Sequence, residues 1–376
     1  MIDVVAVLRP EDVVVDFLSV LDPARGREVH LLVADRGTYL KLPVGVPLAG
    51  RLAPLAELLG TSAEGAKPFS PGAAADAIAL ETGDVEATVW THNPADSRER
   101  RGRWGLELAD LVRRAPVLHA VGDARWFQWV TDVDEQLSPA LIDAKLDFVN
   151  THGTDLLGLD EGDENALLTG KVHSVERFFG STPDERARLF ALMGSMGDNA
   201  ALVEDPWEFA SSPYELERLD ATVAWVRSHL DPVAGRVIEV GACEGALTRR
   251  LLAEGYSVDA TEPNQAFYGR LREVQGDVRV HPHSYEDLAT TRRLTGSAYL
   301  LVEVLYYAQD LALLDRFPTD RLFVAMEPVE LAKQSWPSSW SVMEQVELAG
   351  PRFEPVVGGR ADLRKRGSSG VLLRRR

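Results

Sequence analysis

Two α/β domains are the architecture that the sequence predicts, the C-terminal one Rossmann-like with a mostly parallel, seven-stranded sheet. Three observations predict it. The chain has 376 residues, enough for two domains that each bury a core. Apolar runs of strand length alternate with helix-period stretches in both halves, which is the pattern of parallel strands joined by crossover helices. Finally, in Val237-Ile-Glu-Val-Gly-Ala-Cys-Glu-Gly-Ala-Leu-Thr248 an apolar run ends in an acid, meets two glycines four apart and flows into a helix. That is a strand, a tight turn and a helix N-terminus, where backbone N–H groups face outward and the chain can approach a ligand closely.

Composition bounds the function. Hydrophobic residues make up 45% and charged residues 26%, as in a globular protein. A net charge of −18 argues against phosphate-driven nucleic-acid binding and against anionic membranes, both of which need a basic field. Cys243 is the only cysteine, so neither an intrachain disulfide nor a multi-cysteine metal site is available. In the glycine turn it reads as a small residue that fits. The opening Met-Ile-Asp-Val-Val-Ala has no cationic region before an apolar core, and no apolar run reaches membrane-spanning length, so a cytoplasmic location is expected.

The elements follow in order. Strands are expected over residues 4–8, 29–34, 85–90 and 117–121, with helices near 11–21, 52–59, 104–113 and 139–150. This places an N-terminal α/β domain at residues 1–151. Residues 152–204 turn acidic and helical, with Asp160-Glu-Gly-Asp-Glu164 as a solvated cluster, and read as a linker or lid. From residue 205 to 376 a second α/β domain begins with an amphipathic helix at 214–230. Strands follow from Val237, Ser257, Val278, Ala298 and Arg321, then near Phe353 and Val371.

Glycine spacing narrows the ligand. A dinucleotide fingerprint starting at Gly241 needs glycines where Cys243 and Ala246 stand. The second strand ends in Glu262-Pro263, 21 residues beyond Gly241, and a carboxylate there can accept both ribose hydroxyls of an adenosyl cofactor. The pattern Glu239-x-Gly241-x-x-x-Gly245 resembles the first motif of class I S-adenosylmethionine-dependent methyltransferases. That resemblance implies S-adenosyl-L-methionine as cofactor and S-adenosyl-L-homocysteine as product, held by Glu239, Gly241, Ala242, Gly245, Glu262 and Pro263. It also implies an adenine loop after the third strand, where Ser284 and Tyr285 stand in place of the usual acid and apolar residue.

Val302-Glu-Val-Leu-Tyr-Tyr-x-x-Asp310, with Asp205-Pro-Trp-Glu-Phe-x-x-Ser-Pro-Tyr-Glu-x-x-Arg218 upstream, resembles the nodulation protein S family, whose members N-methylate an amino sugar with S-adenosylmethionine. The resemblance places Trp207, Tyr214 and Arg218 near the methionine end of the cofactor, with Arg218 a partner for its carboxylate, and Glu303 beside it. Removing the acceptor's proton needs a base, and His281, His283, Glu303 and Glu327 are the candidates. His283, Glu303 and Tyr306 are the expected catalytic set. Tyr306, Tyr307, Trp336 and Trp340 could offer flat surface to a sugar ring.

In the first half, the strand at Val4 leads into Arg9-Pro-Glu-Asp12, and a later strand leads into Thr91-His-Asn-Pro94. These loops resemble those of zinc-dependent N-acetylglucosaminyl deacetylases. Arg9 stands where a ligand histidine would be, and Asp96-Ser-Arg-Glu-Arg-Arg-Gly102 lacks the His-x-x-His pair, so no metal is expected. The favoured reading is a methyltransferase acting on N or O of a small-molecule acceptor, a sugar, amino sugar or glycosylated natural product, whose first domain binds the acceptor or builds a homodimer. A dinucleotide-dependent oxidoreductase is the runner-up, and a non-catalytic scaffold is the third reading.

Overall fold

The computed structural model describes residues 1–60, 65, 67–122, 124, 127–152, 173–194, 204–306, 309–356 and 359–376. The chain divides into two compact units. The first is Met1–Met196 with Pro355–Leu363, and the second is Gly197–Glu354 with Arg364–Arg376.

In the first unit the strands are β1 (Ile2–Val7), β2 (Glu28–Val33), β3 (Thr38–Leu42), β4 (Ala87–Thr91), β5 (Val117–Ala120), β6 (Phe127–Trp129), β7 (Val133–Gln136) and β8 (Val175–Phe179). Its helices are α1 (Pro10–Asp16), α2 (Leu48–Gly60), α3 (Pro71–Thr82), α4 (Glu99–Leu111), α5 (Pro139–His152) and α6 (Pro183–Gly194). The sheet runs β3-β2-β1-β4-β5-β8-β7. Its centre, β2-β1-β4-β5, is parallel, and β1 is buried at all six positions because helices cover both faces. Alternate residues divide between the two cores: Val5 and Val7 pack on one side, Val4 and Ala6 on the other. Asp3 is tolerated in this strand because the Trp90 indole donates to it at 3.0 Å and Arg27 at 3.2 Å.

The four central strands and four of the helices lie where the sequence reading put them. The stretch expected as a helical linker differs. Its residues 175–179 are β8, antiparallel to β5 and β7, and α6 belongs to the same unit. The sequence Val-Glu-Arg-Phe-Phe does not alternate apolar and polar side chains, because the inward Glu176 is buried against Lys145, so no strand period stands out among the acidic neighbours. The Asp160–Glu164 cluster lies outside the described residues.

The second unit contains β9 (Val237–Val240), β10 (Val258–Thr261), β11 (Val278–His281), β12 (Ala298–Val302), β13 (Arg321–Met326), β14 (Trp340–Ala349), β15 (Arg352–Pro355), β16 (Ala361–Lys365) and β17 (Ser368–Arg375). With them come α7 (Pro213–His229), α8 (Ala246–Ala253), α9 (Gln265–Leu271), α10 (Tyr285–Thr290) and α11 (Pro328–Lys333). The sheet order is β11-β10-β9-β12-β13-β17-β14. It is parallel from β11 to β13, while β17 is antiparallel to both of its neighbours. Seven strands are present as expected, but one is different: β14 takes the place assigned to the strand at Phe353. That strand, β15, instead forms a hairpin with β16, and the tip Pro355–Leu363 pairs with β6 through Ala361–Leu363 and completes the first unit.

Helix starts are specified locally. Ser212 accepts from the Glu215 N–H at the start of α7, with Pro213 at its first position. Among the described residues, no helix is long and apolar enough to cross a membrane.

Candidate active site

The parallel order reverses between β9 and β12, so a crevice forms beyond their carboxyl ends, where open α/β sheets bind ligands. The glycine turn lies there. Gly241 and Gly245 have φ of 66° and 80°, and a Cβ on Gly241 would come within 2.9 Å of Val304. Cys243 shares this left-handed backbone at φ 50°. The four non-glycine residues with positive φ among those described are Asp205, Glu208, Cys243 and Glu303, all in the second unit; such conformations gather at binding sites. Helix α8 starts at this turn with no side-chain cap, which leaves its first N–H groups for another partner.

Glu262 bridges two loops. Its Oε2 accepts from the Cys243 N–H at 2.9 Å and its Oε1 from the Asn264 N–H at 2.8 Å, so the carboxylate is fixed beside the turn. Burial raises its pKa, partly offset by these two bonds. Ala242 donates to the Thr261 carbonyl at 2.8 Å, locking the turn to β10, and Pro263 is exposed beside it. Burial, then the nearby Glu262, Glu239 and Glu244, pushes the Cys243 thiol well above its ordinary range, which disfavours the thiolate.

Glu239, next to last in β9, is buried with Thr248 Oγ1 at 2.6 Å, and burial pushes its carboxyl up to about 7 from 4.5. Stability from the neutral form is fully present below about pH 4.5 and is lost as pH rises through 7. Between pH 5 and 8 the wild-type chain is therefore expected to lose up to about 3 kcal/mol more than Glu239→Gln. Equal losses in denaturant unfolding would refute the assignment.

At the other side of the crevice, Arg218 of α7 gives Nε and Nη2 to Glu215 at 2.9 and 2.8 Å, and Lys365 meets the same carboxylate at 3.1 Å. Burial disfavours the Glu215 carboxylate, but Arg218 and Lys365 outweigh it and hold its pKa low. Arg218 Nη1 is buried, has no hydrogen-bond partner and lies 3.7 Å from Glu303 Oε1. A buried guanidinium edge without an acceptor fits the carboxylate of an amino-acid-bearing cofactor. Tyr214 packs beneath Arg352 and Lys365, and Trp207 packs on Phe267 of α9 at 4.9 Å.

Glu303 follows β12, half-buried, with φ 57°. The Tyr306 hydroxyl donates to its Oε2 and accepts from the Glu327 N–H at 2.6 Å, while Ser368 Oγ donates to its Oε1 at 2.9 Å. Burial raises the Glu303 pKa against the pull of Arg218. The Glu327 carboxylate is engaged by Arg366 at 2.7 Å.

The structure thus brings together Arg218, Glu303 and Tyr306 in one place, and Glu239, Gly241, Ala242, Gly245 and Glu262 in another part of the same crevice. His283 stands elsewhere. It follows the edge strand β11 and stacks on His281, three strand spacings from β12, or about 14 Å. Ser284 is spent as the cap of α10, accepting from Asp287 N–H, and the Tyr285 ring is buried in the core with its hydroxyl on the Asp310 carbonyl. Both side chains serve the start of α10, Ser284 as its cap and Tyr285 as its core anchor. Trp340 also departs from expectation. It opens β14 opposite Arg375, at the amino edge of the sheet, buried with its indole on Asp315. Trp336 is partly buried against the same core, Tyr306 is exposed, and Tyr307 lies outside the described residues. The sequence reading missed Glu215, Lys365, Arg366 and Ser368. The basic run 364–366 in an acidic chain was the available signal for two of them.

The family model described as Nodulation protein S (NodS) matches residues 196–317. A search of curated protein sequences finds no match. Among solved structures, the N-methyltransferase NodS from Bradyrhizobium japonicum WM9, in complex with S-adenosyl-L-homocysteine, is 16% identical, with 47% of this chain and 96% of that one covered and a TM-score of 0.35. Magnesium protoporphyrin IX methyltransferase from Synechocystis PCC 6803 is 14% identical, with 50% and 98% covered and a TM-score of 0.35. An rRNA methylase from Escherichia coli is 17% identical, with 52% and 78% covered and a TM-score of 0.32. Sheet order, glycine turn and family match define the class: the second unit is a class I S-adenosylmethionine-dependent methyltransferase domain. Within that class, its residues 196–317 resemble the nodulation protein S family.

Proposed function

We propose that the chain methylates an amine nitrogen of a small, amino-sugar-like acceptor. The observation that carries this reading is Glu303, a half-buried carboxylate at the crevice, oriented on both oxygens by Tyr306 and Ser368. Such a group attracts an acceptor ammonium and can take up its proton, and its raised pKa favours proton uptake. Bound S-adenosylmethionine supplies an electrophilic methyl group on a sulfonium. Arg218 and Glu262 would hold the two ends of the cofactor, and Glu303 would take the proton from the acceptor nitrogen whose lone pair forms the new bond to the methyl carbon as the sulfur leaves. The match of residues 196–317 to the nodulation protein S model, a family of amino-sugar N-methyltransferases, supports nitrogen over oxygen.

Two experiments test it. Calorimetry on the purified chain is expected to show saturable binding of S-adenosylhomocysteine and none of NAD. A methyl-transfer screen is expected to label amino sugars rather than RNA, lipids, proteins or simple phenols; labelling of any of these but not amino sugars defeats the acceptor reading. With an acceptor in hand, Glu303→Gln should cut turnover by about 10² to 10⁴ with unchanged cofactor affinity, while His283→Ala should change turnover little. The reverse pattern would return the base to His283.

A further inference from the structure

We propose that Arg218 links occupancy of the crevice to the proton on Glu303: a ligand carboxylate seated at its unbonded guanidinium edge drives Glu303 to take up a proton from solvent. The coupling rests on the reading of the crevice as the cofactor site, with Arg218 at the methionine carboxylate. It gives Arg218 a second role, as a positioning residue for the proton acceptor.

The charges here are matched in number but not in strength. Among the described residues, Arg218 and Lys365 are the cations, and Glu215 and Glu303 are the carboxylates they meet. Glu215 takes Nε and Nη2 of Arg218 at 2.9 and 2.8 Å and Nζ of Lys365 at 3.1 Å, so both cations are hydrogen-bonded to it. Glu303 has only Arg218 Nη1 at 3.7 Å, an ion pair too long for a hydrogen bond. Its hydrogen bonds come from two neutral hydroxyls, Ser368 Oγ at 2.9 Å on Oε1 and Tyr306 on Oε2.

The other charged or titratable groups around it are spent. On α7, burial and then Glu303 itself keep the Tyr214 hydroxyl neutral. Arg352, over the Tyr214 ring, is held by Glu217 at 2.6 Å and by Glu354 at 3.1 Å. The Glu327 carboxylate, beyond Tyr306, is paired with Arg366 at 2.7 Å. Burial raises the Glu303 pKa, and Arg218 is the largest pull against it.

A ligand carboxylate at this guanidinium would put three carboxylates around two cations. Nη1 is buried without a hydrogen-bond partner, so it is the edge that such a group satisfies. When two carboxylates share a site, the charged form of one is disfavoured. Glu303 is the one that yields, because it has no hydrogen-bonded cation. The consequence for methyl transfer is order: Glu303 becomes a stronger proton acceptor once the cofactor is in place.

The test is calorimetric titration of the full chain with S-adenosylhomocysteine between pH 5 and 8, in buffers of different ionisation enthalpy, which counts the protons taken up per ligand. Wild type is expected to exceed Glu303→Gln by about half a proton at the maximum, the amount given by an approximately tenfold rise in the proton affinity of one carboxyl. Taking the difference cancels Glu239 and Glu262, which both chains share. Methylthioadenosine has the nucleoside and the thioether but no carboxylate, and on wild type it is expected to take up about half a proton less than S-adenosylhomocysteine; this comparison needs no variant. Equal uptake in wild type and Glu303→Gln, or equal uptake with the two ligands, overturns the coupling and leaves the cofactor site standing. No saturable binding of S-adenosylhomocysteine to the wild-type chain removes the cofactor site, and the coupling with it.

Discussion

Glu262→Ala is expected to weaken the binding of S-adenosylhomocysteine by at least about tenfold. Each charge-assisted hydrogen bond from a ribose hydroxyl to this carboxylate is worth roughly 1.5 to 3 kcal/mol, and 1.4 kcal/mol corresponds to a decade of affinity. The structure adds a second contribution. Glu262 is also the acceptor for the Cys243 and Asn264 N–H groups, so its removal leaves two backbone donors unpaired and releases a turn held in left-handed backbone. Glu262→Gln, which keeps one acceptor oxygen, should lose less than alanine. Calorimetric affinities equal to wild type in both variants would remove Glu262 from the cofactor site.

The largest effect on stability is expected at Arg101. Asp12 is 1% exposed, and Arg101 Nε donates to its Oδ1 at 2.7 Å while the Arg9 N–H and His92 approach Oδ2 at 3.0 and 3.2 Å. Burial opposes the Asp12 carboxylate, yet Arg101 and His92 more than reverse this and hold its pKa far below the usual range. Arg101→Met leaves that charge buried with its main partner gone, at a cost of about 3 to 5 kcal/mol, a large share of a domain's typical 5 to 15 kcal/mol. Because the folded pKa is depressed, this stability is present above the ordinary aspartate range and declines as pH falls below it. Denaturant unfolding at neutral pH should show a clear loss for Arg101→Met and a smaller one for the double variant Asp12→Asn, Arg101→Met. A single variant as stable as wild type would mean that the pair carries no net stabilisation.

Much of the glycine-turn side of the candidate site was legible because it depends on backbone. A chain that must turn sharply next to a ligand needs glycine at 241 and 245, and an acid at a strand tip, as at Glu239 and Glu262, has few structural reasons to be there. Glu303 was legible for the same reason. The partners that orient it were not: Ser368 is 65 positions away in sequence and reaches Glu303 only because β17 runs antiparallel beside β13. Strand β14 escaped because it is an edge strand whose charged residues fall on both faces, Glu344 toward Trp225 and His229 of α7 and Glu347 on the opposite face, so it shows neither clean alternation nor the apolar runs of the central strands. Arg98 and Arg101 read in the sequence only as absent metal ligands. Folding shows them as the cations of a buried ion-pair cluster, which requires knowing that α1 and the loop after β4 meet.

The hairpin tip Pro355–Leu363 bears on the order of events during synthesis. Val356 and Ala361 pack with Ala124, Phe127, Phe179 and Leu189 in one apolar cluster of the first unit. A nascent chain usually completes its N-terminal domain while the rest is still on the ribosome. Here the first unit must wait for residues made after the glycine turn and nearly all of the second sheet. Its final cluster stays open until residues 355–363 have been made, and a polypeptide released early, at residue 196, carries Phe127 and Phe179 without the strand that covers them.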